Sequence, residues 1–69
     1  MSAKTNMRNV YNEYRHYGEI LQTKDFDFTK DGGNYITHQV IKYNNKYRLF
    51  VLVNGEVYKI ETIRKDLHI

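Results

Sequence analysis

The chain has 69 residues, with no cysteine, proline or tryptophan, seven tyrosines, and 11 basic against 8 acidic side chains. That length holds one domain with one small core. The missing cysteines exclude a disulfide framework, a thiolate zinc site and thiol catalysis, and leave the redox compartment unmarked.

Charge is spread unevenly: +2 over residues 1–16, −2 over 17–40 and +3 over 41–69. A pI near 9.2 permits contact with nucleic acid or an anionic surface without requiring it. Nothing approaches the roughly 18 apolar residues of a membrane span, and the N-terminus lacks the apolar run of a signal peptide. A cytoplasmic address and no membrane partner are the expectations. The abundance of Asn, Lys, Ile and Tyr suits an AT-rich genome, such as that of a low-GC bacterium or its phage.

Residues 1–4 read as a loose tail. From Asn6 to Tyr17 the apolar side chains Met7, Val10, Tyr11, Tyr14 and Tyr17, continued by Leu21, recur at intervals of three and four. That interval marks one stripe of an amphipathic helix. Thr5 or Asn6 supplies an N-cap oxygen. Arg15 and His16 suit the negative end of the dipole, and Gly18 stands where a positive φ closes a helix.

Past Gly18 the period shortens to two. Residues 19–29 carry Phe26 and Phe28 in alternation, and Asp31-Gly32-Gly33-Asn34 signals a turn. Residues 35–43 alternate again, and Asn44-Asn45 fits a two-residue hairpin turn. Residues 46–53 form a strand, Asn54-Gly55 is the strongest short hairpin signal, and residues 56–63 close the meander. The expected fold class is α+β: an N-terminal amphipathic helix on one face of a three- to four-stranded antiparallel β-meander. The whole chain, 1–69, reads as a single small domain, with 64–69 a frayed end or a short helical turn.

The two short loops imply a register. Asn44-Asn45 sets Val40 against Leu49, His38 against Val51 and Ile36 against Val53. Asn54-Gly55 sets Leu52 against Val57, Val51 against Tyr58, Leu49 against Ile60, and Arg48 against Glu61 as an opposed charge pair. One face then gathers Ile36, His38, Val40, Tyr47, Leu49, Val51, Val53, Tyr58 and Ile60, the expected core face beneath the helix. The other face carries Ile41, Phe50, Leu52 and Val57 side by side, too apolar for a solvated surface. A single helix covers a single side. The candidate interface is therefore Tyr35, Ile41, Tyr43, Arg48, Phe50, Leu52, Val57 and Lys59. A second copy, as a homodimer, is the simplest cover for such a patch. Residues 19–29, or Leu67 and Ile69, are the intramolecular rivals.

Chemistry finds little purchase. Asp27, Thr29, Asp31 and Gly32 have the spacing that opens a calcium loop, but its twelfth position is His38, where a bidentate Glu is needed. His16, His38 and His68 never fall three or four residues apart, so no helical ligand pair exists. Lone on a core face, His38 reads as a hydrogen-bonded structural residue. Ser2 is the single serine, and Gly32-Gly33 lacks the Lys and Ser/Thr of a phosphate loop. Asp25 and Asp27 lack a concave pocket to separate their pKa values. No catalytic residue, metal or cofactor is expected.

What remains is binding. The expectation is a non-enzymatic protein-binding module acting by occlusion, a regulator or inhibitor of the kind phages and mobile elements encode. The alternative is a small basic nucleic-acid-binding protein that stacks bases on the aromatic sheet face and uses its basic termini on phosphates. It has no RNP, KH GXXG or zinc-finger motif, and no motif set points to a family.

Overall fold

The computed structural model describes residues 3–63. Helix α1 spans Ala3–Tyr17, followed by β1 (Glu19–Asp27), β2 (Tyr35–Tyr43), β3 (Lys46–Val53) and β4 (Glu56–Ile63). A 3₁₀ turn at Thr29–Asp31 joins β1 to β2. The strands form one antiparallel sheet in the order β1-β2-β3-β4, and α1 lies against one side of it. This is the expected α+β architecture. The helix starts earlier than its apolar stripe suggests: residues 3 and 4, read as tail, are helical. Residues 1 and 2, and the expected frayed end or helical turn at 64–69, lie outside the described residues. No helix among the described residues is long and apolar enough to cross a membrane.

The hairpin turns follow their residue types. Asn44 and Asn45 take φ of 55° and 63°, and Asn54 and Gly55 take 53° and 86°. Positive φ at both central positions is what a type I′ turn requires. Asn54 also ties the sheet end together. Its Oδ1 accepts from the Tyr35 amide at 3.0 Å, and its Nδ2 donates to Asn34 Oδ1 at 3.1 Å. At the other loop, Asp27 Oδ1 accepts from the Thr29 hydroxyl at 2.6 Å and the Thr29 amide at 2.9 Å. Those bonds start the 3₁₀ turn and hold the Asp27 carboxyl below its ordinary pKa. The aspartate that opened the calcium-like spacing therefore serves the local turn.

Gly18 ends the helix by a different device from the expected one. Only Gly32 and Gly55 among the glycines have positive φ. Gly18 is instead a point of close approach. A Cβ there would meet the carbonyl oxygens of Tyr14 at 2.6 Å and Lys42 at 2.7 Å, and Ile41 Cγ2 at 2.9 Å. The chain turns from α1 into β1 with the helix end pressed on β2.

The β2–β3 register is the one read from the sequence: Ile36 opposes Val53, His38 opposes Val51 and Val40 opposes Leu49. Between β3 and β4 the first pairs hold, Val53 with Glu56 and Leu52 with Val57, and then the ladder slips by one residue at Tyr58. Past this bulge Lys59 opposes Val51, Ile60 opposes Phe50 and Glu61 opposes Leu49. Arg48 therefore faces Thr62, and the expected Arg48–Glu61 pair does not form. A second bulge at Leu21 sits between the Ile20–Ile41 and Gln22–Val40 pairs. Each bulge exchanges the faces of the residues beyond it.

The helix covers the opposite side of the sheet from the one expected. Its stripe of Met7, Val10, Tyr11 and Tyr14 meets Ile41, Phe50, Leu52, Val57 and Ile60. Ile41 and Phe50 are 0 % exposed. The Tyr11 and Tyr14 ring centroids lie 5.2 and 5.3 Å from that of Phe50. Aromatic pairs at such spacing add to their area burial. This face is apolar only beneath the helix. Nearer β1 it turns polar: the Tyr11 hydroxyl donates to Gln39 Oε1 at 2.8 Å, Gln39 Nε2 donates to Thr23 Oγ1 at 3.2 Å, and Thr37 Oγ1 donates to Asp25 Oδ1 at 3.0 Å.

Two predictions follow from this arrangement. Gly18→Ala should cost about 1–3 kcal/mol in denaturant unfolding, because the new methyl meets backbone that must shift. An unchanged midpoint would show that the helix end is not held against β2. Phe50→Asp should abolish the cooperative thermal transition, whereas Val51→Asp, one residue along β3 on the other side, should keep it. The reverse pattern would put the helix on the Val51 face.

Candidate functional site

The face turned away from α1 is also apolar. Four cross-strand rows run over it from β1 to β4. They are Phe26–Ile36–Val53–Glu56, then Lys24–His38–Val51–Lys59, then Gln22–Val40–Leu49–Glu61, then Glu19–Lys42–Tyr47–Ile63. The two central strands supply Ile36, His38, Val40, Lys42, Tyr47, Leu49, Val51 and Val53. The edge strands supply the charges Glu19, Lys24, Glu56, Lys59 and Glu61. Strands about 4.8 Å apart with same-face residues about 6.7 Å apart make a strip roughly 10 Å wide and 25 Å long, apolar except at His38 and Lys42.

Neighbouring side chains fill this surface without a second layer. Val40 is 6 % exposed, yet alternation aims it away from the helix-side cluster that holds Ile41. The Phe26 and His38 rings meet edge to face at 5.2 Å, which joins β1 to β2 on this side. The Lys42 ammonium lies 5.6 Å from the Tyr47 ring centroid. Lys59 Nζ donates to Glu61 Oε1 at 2.8 Å. That hydrogen bond and charge hold the Lys59 pKa above its ordinary value. Among the described residues no helix or strand lies over this face.

The interface expected from the sequence is redistributed. Ile41, Phe50, Leu52 and Val57 are core beneath α1. Tyr43 is half-buried against the helix, its ring 5.1 Å from Tyr14 and 6.0 Å from Tyr17. Burial first, and the Glu13 carboxylate second, raise the Tyr43 pKa. The Arg48 guanidinium lies 5.3 Å from the Tyr14 ring centroid. These six therefore serve the helix–sheet contact rather than a free surface. Tyr35 stays exposed at the start of β2. Lys59 moves to the other face, because the Tyr58 bulge reverses β4. Val40, Leu49, Val51 and Val53, read as core, are the centre of the uncovered face. The signal for it was present: both faces of β2 and β3 are apolar, and the chain offers one helix.

Two depressions flank the β3–β4 hairpin. One, of about 570 Å³, lies between α1 and the turn and is lined by Arg8, Tyr11, Asn12, Arg15, Gly55, Glu56 and Val57. The other, of about 360 Å³, is lined by Met7, Val53, Asn54, Glu56, Val57 and Tyr58. Neither gathers an acid–base pair with a nucleophile. The described residues hold no group of three or more His, Asp or Glu able to grip a metal ion. No protein-family model, curated protein or solved structure matches the chain.

Proposed function

We propose that the chain is a non-enzymatic protein-binding module, a small regulator or inhibitor that acts by covering its target, and that the uncovered sheet face is its binding surface. One observation carries the reading. Ile36, Val40, Leu49, Val51 and Val53 form a continuous apolar strip on a side that no described element covers. Contiguous apolar surface of this kind marks an interaction site in a folded domain. The charged edge residues supply a polar rim around an apolar centre, the usual anatomy of a protein interface.

Of the rings the nucleic-acid alternative would use, Tyr35 is exposed while two others are engaged inside the fold. Phe50 is fully buried and Tyr43 is engaged by Tyr14 and Tyr17, so neither ring is free to stack a base.

Affinity capture with the full chain as bait, in nuclease-treated lysate of the source cell, tests the proposal against a matched Val51→Asp bait. Wild type should retain a protein in stoichiometric amount, a second copy of the chain included, and Val51→Asp should lose it. Equal retention by both baits would contradict the assigned surface. Capture that vanishes with nuclease, and affinity falling by about 0.9 log unit per log unit of salt for each phosphate contact, would establish nucleic acid instead.

A further inference from the structure

We infer that the occupant of the uncovered face is a second copy of this chain, packed face to face about a two-fold axis that runs across the strands. The inference rests on the binding reading above only in that this face binds protein; a target covered through the same face would compete with the second copy.

The register selects the axis. A two-fold in the plane between the sheets can run along the strands or across them. Along the strands, it would place β1 over the partner's β4 within the same row. Lys24 would then oppose the partner copy's Lys59, and Lys59 its Lys24. Like charges in register disfavour that pairing. Across the strands, each strand lies over its own equivalent and the row order inverts. With the axis between the two middle rows, the Lys24–His38–Val51–Lys59 row lies over the partner's Gln22–Val40–Leu49–Glu61 row. Lys59 then meets Glu61 of the other copy, twice by symmetry. Val51 meets Leu49, His38 meets Val40, and Lys24 meets the Gln22 amide. The two middle rows are complementary to each other, as an isologous interface demands, while the outer rows set Val53 over Tyr47, Ile36 over Lys42, Phe26 over Glu19 and Glu56 over Ile63. Aligned sheets cross at about 30°, and the length of a lysine side chain spans the offset this makes at the edge strands.

Size agrees. Four strands about 4.8 Å apart and about 25 Å long present roughly 500 Å² in projection. Two such faces together reach the roughly 1,000 Å² at which specific interfaces begin. The chain is flat, 38 × 34 × 17 Å. Two copies stacked along the short axis measure about twice 17 Å, level with the 34 Å middle dimension. Edge-to-edge pairing is the less favoured route, since β1 and β4 each carry a bulge that interrupts the ladder an added strand would extend.

Sedimentation equilibrium on the full chain decides it, comparing wild type with Lys59→Glu, Glu61→Lys, the double exchange Lys59→Glu/Glu61→Lys, and Val51→Asp, each checked for fold by circular dichroism. Wild type should be a dimer. Each single reversal should weaken dimerisation at least about tenfold by facing like charges. The double exchange should recover it, because the swapped pair still meets its complement in a swapped partner. Val51→Asp should be monomeric; if that variant fails to fold, the charge series stands alone. A wild-type monomer at about 100 µM would overturn the second-copy assignment, and capture lost by the Val51→Asp bait would then still uphold the binding face. A dimer indifferent to the single reversals, or a double exchange no better than either single, would overturn the axis and the self-pairing.

Discussion

Everything else in this fold depends on Phe50 lying between the rings of Tyr11 and Tyr14 at 5.2 and 5.3 Å. The sheet is apolar on both sides, so hydrophobicity alone leaves the helix two places to dock. The larger, ring-bearing side wins. Phe50, Leu52 and Ile41 offer more volume and flat area than the β-branched Val40, Val51 and Val53 behind them. A full aromatic burial exceeds that of a valine. Once α1 sits there, the Val51 side is left as the outer surface.

The irregularities serve that choice. The Tyr58 bulge turns Ile60 toward the helix and sends Lys59 and Glu61 to the uncovered face. The Leu21 bulge likewise places Gln22, Lys24 and Phe26 on the uncovered side of β1. Gly18 lets the helix end approach the Lys42 carbonyl closely enough for the tyrosine stripe to reach Phe50. An apolar strip flanked by edge charges results, rather than a uniformly greasy sheet. Long charged side chains at the margin limit indiscriminate association.

Much of the fold was legible in the sequence. The three- and four-residue spacing of Met7, Val10, Tyr11 and Tyr14 marked the helix, and the Asn-Asn and Asn-Gly pairs marked two hairpins whose positive φ angles the structure repeats. The β2–β3 register followed from its loop length. The face did not follow. Counting apolar residues favoured the Val51 side only because Tyr58 and Ile60 were placed there, and a bulge leaves no local signature in EVYKIETI. The mistaken interface has the same origin. One helix covers one of two apolar faces, and the covered one is that of Ile41, Phe50, Leu52 and Val57, so these four are core.

A sheet with one covered and one uncovered apolar face stands or falls on where the tyrosine rings lie. The most direct measurement is the nuclear Overhauser contact pattern of the Tyr11 and Tyr14 ring protons in isotope-labelled protein. The account predicts cross-peaks from these rings to the Phe50 ring and to the methyls of Ile41, Leu52 and Val57 within one chain. Intramolecular cross-peaks from the same rings to the methyls of Leu49, Val51 or Val53 would contradict it.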